Sequence, residues 1–410
     1  MKSRNVIITN ICLLIVFGFM TIGSASAAWD IKPLVDSNAN EYSPTWSPDG
    51  RQVAYLSDES GNRQLYIINS DGTDKWQVTS GPNSVSYIAW SPDSQYILYT
   101  KGNLYPTNLF KCKLNSSRDG IEQCWNLSSE PVTVYSLYWE SPQVSPADCN
   151  HITASRAANG WPRLRTITDR DADATESDWT AIGDQVNGMS VNPTFHPNDC
   201  LIAYAYYINY QSWYLGDVFT IEANGANQVK ILDRSVTGQH VRSVAWGPDG
   251  DCIAFSEQYG AASRLGIVCA DGSGVWPDAY NANSVTWLDD PCSAIPPQKY
   301  SWQADIWSPQ GSSLVYSRNV NGRWDIWLVT NSGSKKTPVV ESVGNDREAR
   351  FSVDGTIAFQ TDRDGNWDIY LAVPLYTGDL DGDRRVDFRD FAVFVAHWLE
   401  CDPLDPDCWP

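Results

Sequence analysis

The 410-residue sequence predicts an all-β fold, a β-propeller of seven blades (six or eight being the alternatives), followed by a short C-terminal loop and helix. Three observations predict it. One phrase recurs seven times: "SPTWSPDG", "YIAWSPDS", "SLYWESPQ", "NPTFHPND", "SVAWGPDG", "ADIWSPQG" and "EARFSVDG". Its aromatic anchors, Trp46, Trp90, Trp139, Phe195, Trp246, Trp307 and Phe351, stand 44 to 61 residues apart, the period of a four-stranded blade. Between the phrases, short apolar runs alternate with Gly-, Asp- and Asn-rich turns, the pattern of antiparallel strands.

The chain opens with Lys2 and Arg4, an apolar run from Val6 to about Ile22, and small residues at Ala25 and Ala27. This is the pattern of a secretory signal peptide over residues 1–27, and the run is too short for an uncleaved anchor to be preferred. The first repeat then reads as a blade. Ser43–Trp46 is a short strand, and "SPDG" turns, with Pro48 fixing φ and Gly50 free to take a positive φ. "RQVAYLS" and "RQLYIINS" are the next strands, and "KWQVTS" is the fourth. The large aromatic before each turn is expected to pack between neighbouring blades.

In the first repeat the third strand ends at Asn69, 23 residues after Trp46, and the same offset from Phe351 reaches Pro374. The acidic stretch "GDLDGDRRVDFRD" begins shortly after, so the last blade lacks its fourth strand. "WDIKPLVD" at 29–36 is unassigned and is expected to complete that blade and close the ring, which removes exposed strand edges. The organisation is therefore a signal peptide at 1–27, a propeller at 28–375 and a loop–helix segment at 376–410.

The formal charge is −20, more negative once Lys2 and Arg4 are removed. Such a chain is repelled by nucleic acid and by anionic membrane surfaces. Past the signal peptide no segment is long and apolar enough to span a bilayer, so a secreted or periplasmic protein is expected. An exported chain favours disulfides, and spacing suggests Cys112–Cys124, Cys252–Cys269 and Cys401–Cys408. The remaining cysteines, Cys149, Cys200 and Cys292, are odd in number, so at least one stays free or pairs with another chain.

The stretches "WSPDGRQVAYLSDESGNRQLYIINSDG" and "FSVDGTIAFQTDRDGNWDIYLA" resemble the propeller repeats of the TolB family, over most of 29–375. That resemblance implies the fold, and implies function only broadly. Propellers of this kind serve as interaction modules, as halves of prolyl oligopeptidase-type peptidases, and in some polysaccharide lyases. The peptidases carry a Gly-x-Ser-x-Gly elbow, which this sequence lacks. The lyases use histidines around a divalent metal. Here His151, His196, His240 and His397 are scattered, and His196 takes the serine position of a turn. "TDRDGNW" looks like a sialidase box but falls in the ordinary hairpin of the repeat. The expectation is thus a non-catalytic binding protein whose ring takes an extracellular protein or a polysaccharide. Trp161, Trp213, Tyr214 and Trp302 are its candidate contacts. The alternative is a divergent polysaccharide-active enzyme, a lyase or hydrolase.

The acidic stretch fits an EF-type calcium loop. Asp379, Asp381 and Asp383 fill positions 1, 3 and 5, Arg385 offers its carbonyl at 7, Asp387 stands at 9 and Asp390 at 12. Arg384 occupies position 6, where glycine is usual. "FRDFAVFVAHWLE" follows with helical periodicity. A loop with no entering helix and Asp at position 12 resembles a single dockerin repeat over 378–400. That resemblance implies bound calcium and an extracellular, cohesin-like docking partner.

Overall fold

The computed structural model describes residues 28–102, 107–129, 138–146, 149–158, 161–183, 188–210, 213–232, 240–259, 262–269, 285–292 and 306–375, together with 389 and 392. Residues Ile31–Ala372 form one compact unit. A second unit, Met1–Asp30 with Val373–Pro410, is described only at residues 28–30, 373–375, 389 and 392.

Blade 1 follows the expected logic. After β1 (Ala28–Val35) come β2 (Glu41–Trp46), β3 (Gln52–Ser57), β4 (Gln64–Asn69) and β5 (Trp76–Gln77), paired in that order with β2 innermost. The alternating apolar residues of β3 and β4 are buried on both faces because blades stack on each other. Blades 2 to 5 repeat the four strands, from inner strands Val85–Trp90, Tyr138–Val144, Gly188–Phe195 and His240–Trp246. Blade 6 shows three strands among the described residues, with a bridge from Trp307 to Leu314 at its inner side. Blade 7 takes Asp346–Phe351, Ile357–Thr361 and Asp368–Leu375 from the end of the chain, and β1 from its start as the outermost strand. The architecture is a seven-bladed propeller closed by its N-terminal strand.

The anchor aromatics stitch blades together. The Trp46 indole N–H donates to the Arg350 carbonyl at 3.2 Å, that of Trp90 to Thr45 at 3.3 Å, and that of Trp307 to Ala245 at 3.2 Å. Each bond runs to the inner strand of the preceding blade, and a buried indole N–H needs such a partner. Blade 3 departs from the expectation. Its turn begins at Ser145, whose amide donates to the His151 carbonyl as that of Ser47 donates to Gln52. Val144 therefore stands in the anchor position. Trp139 lies five residues earlier, fully buried, with its ring 4.6 Å from that of Trp179. "SPQ" mimics the turn phrase in sequence, but "SPADCN" makes the turn.

The disulfide Cys112–Cys124 is present. Cys252 is also disulfide-bonded, and its cross-strand neighbour in the ladder is Cys269. Cys401 and Cys408 lie outside the described residues, as do Asp379, Asp381, Asp383, Arg385, Asp387, Asp390 and the expected signal peptide at 1–27; Arg389 and Ala392 of the C-terminal segment are helical. Among the described residues no helix is long and apolar enough to cross a membrane.

Candidate functional site

The channel at the ring's centre is built by a backbone device. Six of the inner strands, those of blades 1 to 5 and 7, carry a register shift, four residues or so before the turn. In four blades the residue there has a left-handed backbone: Ser43 (φ 53), Ser141 (φ 50), Asn192 (φ 51) and Glu348 (φ 54). A non-glycine residue in this region costs on the order of 1 kcal/mol, so one repeated around a ring is a constructed feature. Tyr87 and Ser243 stand at the same offset in blades 2 and 5.

The bulge side chains are bonded from blade to blade. The Tyr87 hydroxyl donates to Glu140 Oε2 at 3.0 Å, linking blades 2 and 3. Ser141 Oγ donates to Asn192 Oδ1 at 2.9 Å, and Asn192 Nδ2 donates to the Arg242 carbonyl at 2.7 Å, linking blades 3, 4 and 5. Glu348 is hydrogen-bonded to Ser43, linking blades 7 and 1. The result is a polar girdle on the channel wall.

Two carboxyls stand out in it. Burial pushes Glu140 up to about 7, and the hydrogen bond from Tyr87 opposes that rise. Burial also raises Glu348, against the pull of Arg350, Ser43, Arg347 and Arg63. Both side chains keep partial solvent exposure although protein atoms surround them, as expected for groups on the wall of a narrow channel. A carboxyl that titrates near neutrality can both take and return a proton at working pH.

The two ends of the channel differ. At the turn end, all seven blades contribute to an apolar funnel of about 540 Å³, with Trp46, Trp90, Phe195, Trp246, Trp307 and Phe351 in its wall. At the opposite end, the starts of the inner strands meet the starts of the third strands. There the Arg347 guanidinium lies over the rings of Trp324 (5.2 Å) and Trp367 (5.7 Å), and Arg63 lies over Tyr42 (6.0 Å). Arg63, Trp324 and Trp367 occupy one structural position, just after the hairpin glycine in blades 1, 6 and 7. All five side chains are half-buried, so cations and aromatic faces line this mouth together.

Trp161 and Trp213 begin strands, and their side chains, that of Tyr214 and all of Trp302 lie outside the described residues. The histidines are structural where described. The His196 ring packs 4.8 Å from Trp246 and its Nε2 faces the Gly250 carbonyl at 3.2 Å, while His151 Nδ1 sits 2.6 Å from the Cys149 carbonyl. Among the described residues no three His, Cys, Asp or Glu side chains cluster to hold a metal. The girdle and the Arg–aromatic mouth were missed from sequence. The visible signal was the "G-x-W-D" of the last two hairpins, read as ordinary.

A seven-bladed ring with a polar channel is a propeller that can hold a ligand on its axis. No protein-family model matches the chain. Among curated proteins it is 38% identical over 98 residues to the Uncharacterized peptidase YuxL of Bacillus subtilis, 24% of this chain and 14% of that protein. It is 38% identical over 71 residues to the Tol-Pal system protein TolB of Alcanivorax borkumensis, 17% of this chain and 16% of that one. The chain thus spans a small part of the curated relatives it matches, and the TolB segment supports a TolB-like propeller. Among solved structures, an oligogalacturonate lyase in complex with manganese is similar at a TM-score of 0.61 and 16% identity, over 86% of this chain and 95% of that chain. A puromycin hydrolase is similar at 0.58 and 12%, over 82% of this chain and 53% of that chain. At these identities the likeness is one of fold. The matches named for an activity, peptidases and a lyase, are enzymes. They count against the expectation of a non-catalytic scaffold and favour its alternative, an enzyme.

Proposed function

We propose that the chain is an exported enzyme that acts on an acidic polysaccharide, with its reacting groups on the channel wall. The observation that carries this reading is the Tyr87–Glu140 pair, a channel carboxyl brought to about 7 and held by a phenol. In this reading Glu140 removes the proton next to a uronate carboxylate. The C–H bond breaks, a C=C bond forms, the glycosidic C–O bond breaks, and the departing oxygen takes a proton. Arg63 and Arg347 bind carboxylates of the substrate, and Trp324 and Trp367 stack on its rings.

The lyase likeness supports carbohydrate over peptide, because it extends over nearly all of that chain whereas the peptidase likeness covers about half. The sequence also lacks a Gly-x-Ser-x-Gly elbow. The manganese belongs to that lyase. His151 and His196 are committed to turns and backbone carbonyls, so they do not fit such a centre, and no step is routed through a metal.

The test is turnover of polygalacturonate and other uronate polymers by the purified full chain. Ultraviolet-absorbing unsaturated ends are expected, and their loss in E140Q. New reducing ends without that absorbance would mean hydrolysis, and no product from any acidic polymer would sink the reading. For the tail we propose calcium at Asp379–Asp390 and an extracellular, cohesin-like partner.

A further inference from the structure

The girdle is not the only contact between blades that runs through reactive side chains. On the turn side of the ring, turns touch across several seams. The Asp49 amide donates to Ser94 Oγ at 3.1 Å between blades 1 and 2, and His196 meets the Gly250 carbonyl between blades 4 and 5. A Cβ on Gly50 would come within 2.8 Å of Ser352 Oγ, across the seam of blades 7 and 1.

Between blades 3 and 4 the contact is made by two cysteines. Cys149 lies in the turn between Tyr138–Val144 and His151–Ala158. Cys200 lies in the matching turn, directly before Leu201–Tyr210. The Cys149 thiol interacts with that of Cys200 and lies 3.7 Å from His151 Nδ1. Both pack in one apolar cluster with Leu164, Phe195, Ile202 and Tyr204. The backbone holds both in place: the Cys149 amide donates to the Pro146 carbonyl at 3.0 Å, and the Ala223 amide to the Cys200 carbonyl at 2.8 Å. They are the free cysteines among the described residues, and each is the other's neighbour.

We propose that Cys149 and Cys200 are a disulfide site, a covalent clasp between blades 3 and 4 closed by thiol–disulfide exchange with a protein disulfide donor. The inference rests on the export reading alone, not on the proposed catalysis. The balance is complete. One cysteine sulfur attacks the donor disulfide and forms a mixed disulfide, and the second displaces the donor. The Cys149–Cys200 bond forms, the donor's S–S bond breaks, and two electrons and two protons leave with the donor dithiol. Burial, first, and the neighbouring Cys200 push the Cys149 thiol up to about 12, so the folded pair offers little thiolate. Exchange therefore belongs to folding, before the blades close over Cys149, which ends 7% exposed. Once formed, the bond resists reduction in the native ring.

The experiment is peptide mapping of the full chain, exported through an oxidising compartment, denatured in acid with excess alkylating agent and digested without reductant. A peptide pair joined through Cys149 and Cys200 is expected, alongside the Cys112–Cys124 pair. Cys149 and Cys200 both alkylated while Cys112–Cys124 is joined would overturn the clasp and leave export standing. Alkylation of all four would overturn both. The C149S/C200S variant supplies a second readout. Reductant is expected to lower the melting temperature of the wild-type chain more than that of the variant, and equal shifts count against the clasp.

Discussion

Glu41 and Asp368 interact across the seam where the two ends of the chain close the ring, the Glu41 amide donating to the Trp367 carbonyl at 2.6 Å, and burial favours a proton on Glu41. Glu41 begins the inner strand of blade 1, is fully buried, and accepts hydrogen bonds from Ser37 (2.8 Å) and Ser57 (3.1 Å). Asp368 begins a strand of blade 7 and accepts from the Ser37 amide at 3.3 Å. Burial, first, and then Asp368 raise Glu41 to about 7, and burial raises Asp368. Blade 7 repeats the arrangement at Asp346, with Ser342 and Arg363.

Because the folded form holds this proton more tightly than the unfolded chain, its contribution is full at acid pH and is lost as pH rises from about 4.5 through about 7. E41Q keeps the shape of the protonated acid. Chemical denaturation from pH 4.5 to 8 should show a wild-type decline that the variant lacks, a difference of roughly 2–3 kcal/mol at the alkaline end. Glu140 is common to both proteins, so only the difference counts. Parallel curves would refute a raised Glu41.

Removal of residues 28–36 leaves Asp368–Leu375 as an open edge and exposes the apolar side of blade 7. The melting temperature should fall by more than ~10 °C, with a rise in aggregation. An unchanged melting curve would show that the ring closes without its N-terminal strand.

If Glu140 is the base, the rate on an acidic polymer rises through about pH 7 as it ionises. E140Q should lose ~10²–10⁴-fold in kcat and with it that limb of the profile. Y87F frees the carboxyl of its donor, so the midpoint of the limb should move to higher pH. A midpoint that stays put in Y87F would break the link between the two groups.

Arg347 serves binding rather than proton transfer in this scheme. R347A should raise KM for an anionic substrate about tenfold, with kcat within a factor of a few. Trp367→Ala should do the same for neutral and charged oligosaccharides alike, since stacking does not read charge.

Calorimetry on the full chain should show one calcium ion taken up in the micromolar to millimolar range. Replacing Asp379 and Asp381 by Asn should abolish it, and uptake unaltered in that variant would place the ion elsewhere.

Much of the ring was legible in sequence because its repeat carries turn chemistry. Pro48 and Gly50 mark a turn by φ alone, and Gly50 does take φ 71. Closure was legible by counting strands. The blade 3 phrase was misread because "SPQ" copies the letters of the turn, while hydrogen bonding placed it at Ser145. The site was not legible for a different reason. Tyr87 and Glu140 are 53 residues apart and meet only because neighbouring blades put consecutive bulges side by side. Nothing local in either stretch specifies that pairing. Trp324 and Trp367, read as hairpin residues, reach the mouth.

The left-handed bulge holds Ser, Asn and Glu alike, at Ser43, Ser141, Asn192 and Glu348, with backbone angles that agree within a few degrees. The backbone there is set by the strand on either side and not by the side chain it carries. The inner wall is thus a row of sockets. Exchanging what sits in one of them alters what the axis can hold without asking the blade to refold, so selectivity is open to single substitutions.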